Sequence, residues 1–206
     1  MIGDSITDCG RSHPAGEGLF DALGKGYVCF VDALVQAIAP EQRIRIINRG
    51  LCGNTIRDLK ARWREDVLDL KPDWVSVMIG INDVWRQFDS PLQAELIVLP
   101  CEYEAIFEEL IQSTLPRLKG MVIMTPYFIE PNRSDPMRTM MDHYGAICRR
   151  LAEKYGTHFV DTQSAFDAAL EHLHPMSLAW DRVHPVATGH MILARSFLRT
   201  VGFGLD

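Results

Sequence analysis

The chain has 206 residues, 47% of them hydrophobic and 23% charged, which is the balance of a globular protein with a large core. Its net charge of −6 disfavours nonspecific binding to nucleic acids or acidic surfaces, because such binding needs a basic face. No window approaches the roughly 18 uninterrupted apolar residues of a membrane span, and the first residues lack the features of a signal peptide. We therefore expect a cytoplasmic protein with a single domain over residues 1–206.

Neither a disulfide framework nor a metal site is predicted. The five cysteines are odd in number, widely spaced and form no C-x-x-C pair, so we interpret them as reduced thiols. His172 and His174 lie two residues apart, but no third ligand of convincing spacing is near them.

Predicted strands and helices alternate along the chain. Only Met1 and Ile2 precede the first turn, whereas a strand usually needs about five residues, so the first strand is expected to be truncated. Four later apolar runs predict buried strands: Ile44–Ile47, Trp74–Ile79, Met121–Met124 and His158–Val160. Apolar residues at helical spacing predict helices over 28–39, 102–115 and 137–155, and a last helix after Pro185. This alternation predicts a parallel sheet covered on both faces, with the chemistry at the carboxyl ends of its strands.

Two segments carry the parts of a nucleophilic triad. Ser5 stands where a helix begins after the first strand, and there the helix dipole and free amides favour developing negative charge. Asp181 and His184 are three residues apart, so the carboxylate can hold one imidazole nitrogen while the other faces outward. Taken singly, such a serine is more often a helix N-cap, and D-x-x-H is common by chance.

Two further segments offer hydrogen-bond donors at strand ends. Residues 48–55 follow the predicted strand at 44–47, and residues 80–83 follow the predicted strand at 74–79. Glycine lets a backbone N–H point into a site, and an asparagine side chain supplies an amide donor. With the amide of Ser5, two such donors would bind the oxyanion of a tetrahedral intermediate. Each segment alone is also typical of an ordinary turn.

Together the four segments resemble the SGNH (GDSL) hydrolase family, in the right order and nearly across the whole chain. The resemblance implies a three-layer α/β/α sandwich with a mostly parallel five-stranded sheet of flavodoxin-like type. It implies that Ser5 is the nucleophile, His184 the general base and acid, and Asp181 the residue that orients the imidazole. The implied oxyanion donors are the Ser5 amide, Gly53 and Asn82. Gly53 is assigned because the family's loop commonly reads S-G-x-T, which residues 52–55 match with Cys in place of Ser.

The longer sequence stretches around these motifs narrow the resemblance to bacterial intracellular acetylxylan esterases. The matching stretches are G-D-S-I-T-D-C-G-R at residues 3–11, N-R-G-L-C-G-N-T-I-R-D-L at 48–59 and G-I-N-D-V-W-R at 80–86. Members of that branch remove acetyl groups from xylo-oligosaccharides and need no metal or organic cofactor. The expected partner is therefore a small acetylated sugar, and the expected reaction is serine-dependent hydrolysis of acetyl esters.

Three residues beside these segments are candidate substrate contacts. Trp85 and Trp180 can stack on sugar rings, and Arg86 can contact sugar hydroxyls. Core or subunit packing is the alternative for both tryptophans, and a surface ion pair is the alternative for Arg86. Members of this branch often assemble, so a homo-oligomer is also expected, with Trp63, Trp180 and Phe203 as candidate apolar contacts.

Two other functions are weighed against the acetyl esterase. A broad-specificity carboxylesterase, lysophospholipase or thioesterase would use the same fold and triad, and it differs in the length of acyl chain that it accepts. A flavodoxin-like module that binds a nucleotide or flavin belongs to another class. It is disfavoured because no G-x-G-x-x-G or other phosphate-binding loop follows the first strand.

Overall fold

A computed structural model describes residues 1–204 and contains a parallel five-stranded sheet with helices on both faces. The strands are β1 (Ile2–Gly3), β2 (Arg49–Gly50), β3 (Trp74–Met78), β4 (Gly120–Met124) and β5 (His158–Val160). Their order in the sheet is β2-β1-β3-β4-β5, and every neighbouring pair is parallel. The predicted sandwich with a parallel sheet is confirmed, and β1 has only two residues.

Helices connect the strands. They are α1 (Ser5–Asp8), α2 (Tyr27–Ile38), α3 (Ile56–Trp63), α4 (Ile81–Asp89), α5 (Pro100–Thr114), α6 (Pro136–Tyr155), α7 (Thr162–Leu170), α8 (Pro175–Leu178) and α9 (Ala187–Thr200). A π-helical turn, Arg64–Leu68, extends α3, and short 3-10 helices lie at Pro40–Gln42, Ala94–Leu96 and Leu115–Arg117. The four helices predicted from apolar spacing correspond to α2, α5, α6 and α9 and are confirmed.

Two groups of helices sandwich the sheet. Helices α2, α7 and α9 pack together, whereas α3, α4, α5 and α6 pack together as a second group. Strands β3 and β4 lie between the two groups, so Val77 and Ile123 are fully buried. Burial of both faces is the reason that these strands are nearly continuous apolar runs, interrupted in β3 by the buried Ser76.

The strand predicted at Ile44–Ile47 is wrong. Strand β2 begins later, at Arg49, and pairs with Ile2 of β1. The amino group of Met1 donates to the Ile47 oxygen at 2.8 Å, and the Arg49 amide donates to the Met1 oxygen at 2.8 Å. Residues 44–46 therefore lie beyond the paired part of β1, and their apolar side chains pack on the core without a ladder.

The prediction that Trp63 is an apolar contact on the surface is also wrong. The side chain is 3% exposed, and its indole N–H donates to the Thr114 hydroxyl at 2.8 Å. The reason is that α3 packs on α5, so Trp63, at the end of α3, lies between these two helices.

No helix within residues 1–204 is both long enough and apolar enough to span a bilayer.

Candidate active site

The candidate site lies where three adjacent strands end. In the order β2-β1-β3, the loops that follow these strands all leave the carboxyl edge of the sheet. Strand β1 leads to Ser5, β2 leads to the loop that contains Gly53, and β3 leads to Asn82. The topology therefore brings together predicted site residues that are far apart in the sequence.

The position of Ser5 is set by a tight turn into α1. Asp4 is the N-cap of this helix, and its Oδ1 accepts the amide hydrogen of Ile6 at 3.0 Å. A Cβ on Gly3 would lie 2.2 Å from the Met78 oxygen and 2.4 Å from Thr7 Oγ1, so only glycine fits there. The turn leaves Ser5 half-buried at the sheet edge.

Ser5, His184 and Asp181 form a continuous hydrogen-bonded chain. Ser5 Oγ lies 2.9 Å from His184 Nε2, although the two residues are 179 positions apart. His184 Nδ1 lies 2.6 Å from Asp181 Oδ2. Because an ionised carboxylate only accepts, Nδ1 carries the hydrogen, and Nε2 accepts from the serine hydroxyl in the neutral imidazole. This arrangement suits a serine nucleophile with an oriented base.

The turn at residues 181–184 folds around the Asp181 carboxylate. Its Oδ1 accepts the amide hydrogens of Val183 at 2.9 Å and His184 at 2.8 Å. Burial tends to raise the pKa of Asp181, but the hydrogen bonds from His184 and Val183 outweigh burial and hold the pKa below its ordinary value. The carboxylate therefore stays ionised beside the imidazole.

The segment after β4 holds this turn in place, and the sequence did not predict it. The Ile129 amide donates to the Arg182 oxygen at 2.9 Å, and the Tyr127 hydroxyl donates to the Val183 oxygen at 3.2 Å. The Arg182 guanidinium pairs with the buried Glu130 carboxylate, and Arg182 itself has a left-handed backbone.

The three predicted oxyanion donors follow the carboxyl ends of three strands: Ser5 begins α1, Gly53 lies in the loop after β2, and Asn82 lies in the first turn of α4. Within residues 1–204, no acceptor is bonded to the backbone amide of Ser5 or of Gly53. The buried Asn82 amide nitrogen donates one hydrogen to the Asn54 oxygen at 2.9 Å, which leaves its second hydrogen available. The arrangement can therefore offer donors to an oxyanion near Ser5.

Three side chains anchor the loop of Gly53. Asp8 Oδ2 accepts the Cys52 amide hydrogen at 3.2 Å. Arg62 donates to Asn54 Oδ1 at 2.6 Å and to the Gly3 oxygen at 2.9 Å. The third is Asp83, whose Oδ1 accepts the Ile56 amide hydrogen at 3.0 Å. Each stands among other polar and charged residues in the sequence, so its bonding partner follows only from the fold.

The predicted substrate contacts differ in how close they lie to the triad. The Trp85 ring lies beside the His184 ring, with centroids 6.0 Å apart and planes tilted by 52°. Arg86 forms an ion pair with Asp89, the alternative that the sequence left open. Trp180, next to Asp181, is 77% exposed.

Two buried carboxyl groups flank the triad. Burial raises the pKa of Asp4 to about 7, against the opposing effects of the Ile6 amide and the charge of His184. Burial likewise raises the pKa of Asp83 to about 7, and the Ile56 amide opposes the shift. Neither carboxyl group has an arginine or lysine as a hydrogen-bond partner among residues 1–204.

The described part of the chain contains no group of three or more His, Cys, Asp or Glu side chains arranged to hold a metal ion. The hydrogen-bonded side chains of Ser5, His184 and Asp181, with backbone and side-chain amides nearby, are the parts that acyl transfer by a serine nucleophile requires.

Known proteins resemble the chain in sequence and in structure. The sequence matches the GDSL-like lipase/acylhydrolase family over residues 1–192. It is 59% identical over 203 residues to an acetylxylan esterase from Geobacillus stearothermophilus, which covers 98% of this chain and 93% of the relative.

Solved structures agree with this match. The crystal structure of Axe2, an acetylxylan esterase from Geobacillus stearothermophilus, has a TM-score of 0.97 and 59% identity, covering 98% of this chain and 93% of that one. LAE5, an alpha/beta hydrolase enzyme from the metagenome of Lake Arreo in Spain, has a TM-score of 0.96 and 56% identity over the same shares, 98% and 93%. Catalytic mutants of Axe2 with a serine, a histidine or an aspartate replaced by alanine have also been crystallised. The chain therefore belongs to the GDSL-like lipase/acylhydrolase family.

Proposed function

We propose that the protein is a serine esterase that removes acetyl groups from xylo-oligosaccharides or related acetylated sugars. The observation that carries this proposal is the hydrogen-bonded chain from Ser5 Oγ through the His184 imidazole to Asp181, at 2.9 Å and 2.6 Å. The acetylxylan esterase activity named for the relative that is 59% identical supports the choice of substrate.

The proposed reaction has two half-reactions. His184 Nε2 accepts the Ser5 proton as Oγ attacks the acetyl carbonyl carbon, and a tetrahedral intermediate forms. His184 then donates this proton to the sugar oxygen, so the deacetylated sugar departs and acetyl-Ser5 remains. Water then attacks the acetyl carbonyl carbon as His184 accepts its proton, and His184 returns this proton to Ser5 Oγ as the bond between Oγ and the acetyl carbon breaks and acetate leaves. Asp181 stabilises the imidazolium in both halves, and no step uses a metal or organic cofactor.

The charge that develops on the carbonyl oxygen is stabilised by the Ser5 amide, the Gly53 amide and the Asn82 side chain. Each such donor is worth roughly 10²–10³ in rate. The site is open to solvent, since Gly53 is exposed and the side chain of His184 is 43% exposed. This exposure supports an ester substrate whose alcohol portion is bulky, such as a sugar.

Trp85, Arg86 and Trp180 remain proposed substrate contacts, and Trp85 is the best supported because its ring lies against His184. We expect Trp85→Ala to raise KM for acetylated xylo-oligosaccharides about tenfold, since stacking on a sugar ring is lost. KM for p-nitrophenyl acetate, which has no sugar, serves as the comparison. An equal rise for both substrates would contradict sugar stacking.

The direct test of the function compares substrates. Acetate release is measured from acetylated xylo-oligosaccharides and other acetyl esters, together with hydrolysis of p-nitrophenyl acetate and octanoate. We expect release from the oligosaccharides and faster turnover of acetate than of octanoate. Faster octanoate turnover would instead support the alternative, a broad-specificity carboxylesterase, lysophospholipase or thioesterase.

A cytoplasmic location is part of the proposal. It is supported by five free thiols, of which Cys52 and Cys101 are exposed, since exposed thiols persist in a reducing compartment. Recovery of the activity in the cytosolic fraction of the producing cells would agree with this location, and recovery in the medium would contradict it.

Self-association is also part of the proposal. Several large apolar side chains are exposed, among them Phe20 and Leu92 at 97% and Trp180 at 77%. Light scattering after size-exclusion chromatography measures the mass, and a monomer at micromolar concentration would contradict assembly.

A further inference from the structure

We propose that Asp83 is a positioning residue that fixes the two oxyanion donors, Gly53 and Asn82, relative to each other. The inference rests on the proposed esterase function. In this proposal Asp83 itself does not contact the reacting atoms.

Asn82 and Asp83 are consecutive residues in the first turn of α4; Asn82 bonds to the loop that carries Gly53, and Asp83 bonds to Ile56, the first residue of α3 after that loop. The Asn82 amide donates to the Asn54 oxygen at 2.9 Å. The Ile56 amide donates to Asp83 Oδ1 at 3.0 Å. These two bonds join α4 to the loop just after Gly53 and to the start of α3, where that loop ends, so the position of one donor depends on the position of the other.

The surroundings of Gly53 explain why such anchors matter. Its backbone is left-handed, with φ of +78°, and an added Cβ would meet nothing within 4 Å. Packing therefore does not fix the direction of its amide. Hydrogen bonds on either side do so: the Asn54 amide donates to the Leu51 oxygen at 3.3 Å across the turn, Asp8 accepts from the Cys52 amide, and Asn82 with Asp83 bonds on the far side.

The burial of Asp83 is a second observation. Its side chain is fully buried, and its Oδ2 has no hydrogen-bond partner within residues 1–204. Burying a carboxyl group with one oxygen unpaired is unfavourable, and a buried apolar residue would avoid that cost. Burial also raises its pKa to about 7, and Oδ1 can accept from Ile56 in the ionised and in the neutral state. The bond to Ile56, where the loop of Gly53 enters α3, is the contact that accounts for this residue.

The test compares Asp83→Ala with Asp83→Asn, because the asparagine oxygen can still accept from Ile56. We expect Asp83→Ala to lower kcat for p-nitrophenyl acetate by about 10²-fold, as for loss of an oxyanion donor. KM should change by less than about threefold, because the bond acts on the transition state. We expect Asp83→Asn to restore kcat to within about fivefold of the wild type.

Asp161→Ala is the matched control. Asp161 is the N-cap of α7 and accepts the Ser164 amide hydrogen at 2.9 Å, so this variant loses the same kind of bond outside the site. Its kcat should stay at the wild-type value. Should Asp83→Ala fail to fold, Asp83→Leu, which keeps a branched side chain, replaces it.

Several results would overturn the inference. These are a folded Ala or Leu variant with wild-type kcat, a change confined to KM, or an equal loss of kcat in Asp83→Asn. Failure of the proposed function is distinguishable, because Ser5→Ala would then hydrolyse p-nitrophenyl acetate as fast as the wild type.

Discussion

Gly53, a proposed oxyanion donor, has a backbone conformation that packing does not explain. Its φ of +78° lies in the left-handed region, and there is open space where a Cβ would be. We expect Gly53→Ala to cost only about 1 kcal/mol of unfolding free energy, from backbone strain. We expect its kcat on p-nitrophenyl acetate to fall at least tenfold, because a relaxed φ would turn the amide away from the oxyanion.

Gly156→Ala is the matched control for Gly53→Ala. Gly156 ends α6 with φ of +63°, and an added Cβ there also meets nothing within 4 Å. Urea unfolding should give similar losses of stability for the two variants, whereas only Gly53→Ala should lose kcat. Equal kcat values would argue against an oxyanion role for Gly53.

His190 connects two helices and the end of a third. The Tyr27 amide, at the uncapped start of α2, donates to His190 Nδ1 at 3.2 Å, and Cys9 Sγ lies 3.4 Å from Nε2. Since Nδ1 accepts, the neutral ring carries its hydrogen on Nε2 and donates it to the sulfur. Burial, and to a smaller extent the charge of His184, lower the pKa of His190 to about 4 from its ordinary 6.5. The fold thus requires a neutral imidazole between α9 and α2.

This pKa predicts a pH-dependent loss of stability. Between pH 6.5 and about 4 the unfolded chain binds a proton at His190 that the folded chain does not, so stability falls as pH falls through this window. The full loss is about 3 kcal/mol. His190→Asn, whose Oδ1 can replace Nδ1 as acceptor, should not show this loss.

Urea unfolding at pH 7 and pH 4.5 measures the difference between wild type and His190→Asn. Contributions from other groups, such as Asp4 and Asp83, are common to both proteins and cancel. Parallel losses of stability in the two proteins would contradict a buried neutral His190.

The helices and central strands were predictable because each carries a local pattern. Strands β3, β4 and β5 are apolar runs that end at turns, and α6 has apolar residues on one stripe. The segment Ile44–Ile47 has the same local pattern as these strands, but pairing also needs backbone opposite it, which a local pattern does not reveal.

The triad was predictable from the sequence, whereas the contacts of the residues that hold it in place were not. Ser5 and the pair Asp181 and His184 lie in short contiguous segments whose order and types resemble a known family. Asp83 and Glu130 act through contacts with distant backbone and side chains, Ile56 and Arg182. A buried acidic residue can bond in many ways, so its partner follows only from the fold.

The site and the fold depend on each other across the whole molecule, because the triad joins residues 179 positions apart. Ile123 in β4 is fully buried and far from this contact in the sequence. We expect Ile123→Ala to lower the free energy of unfolding by about 2–5 kcal/mol through loss of core packing. Its kcat at 25 °C should remain that of the wild type.

Urea unfolding of Ile123→Ala is measured both by esterase activity and by far-ultraviolet circular dichroism. The two midpoints should shift from their wild-type values by the same amount. Loss of activity at a clearly lower urea concentration than loss of helix would contradict a single cooperative unit. It would mean that the contact between Ser5 and His184 opens before the sheet does.

The contact between Ser5 and His184 can be tested chemically by the labelling of Ser5 with phenylmethylsulfonyl fluoride. Mass spectrometry of digested protein locates the sulfonyl group and measures its rate of attachment. We predict labelling at Ser5 in the wild type, and at least a ~10²-fold slower rate in folded His184→Ala, because the hydroxyl is then without its base. Labelling of Ser5 at the same rate in both proteins would contradict the proposed mechanism.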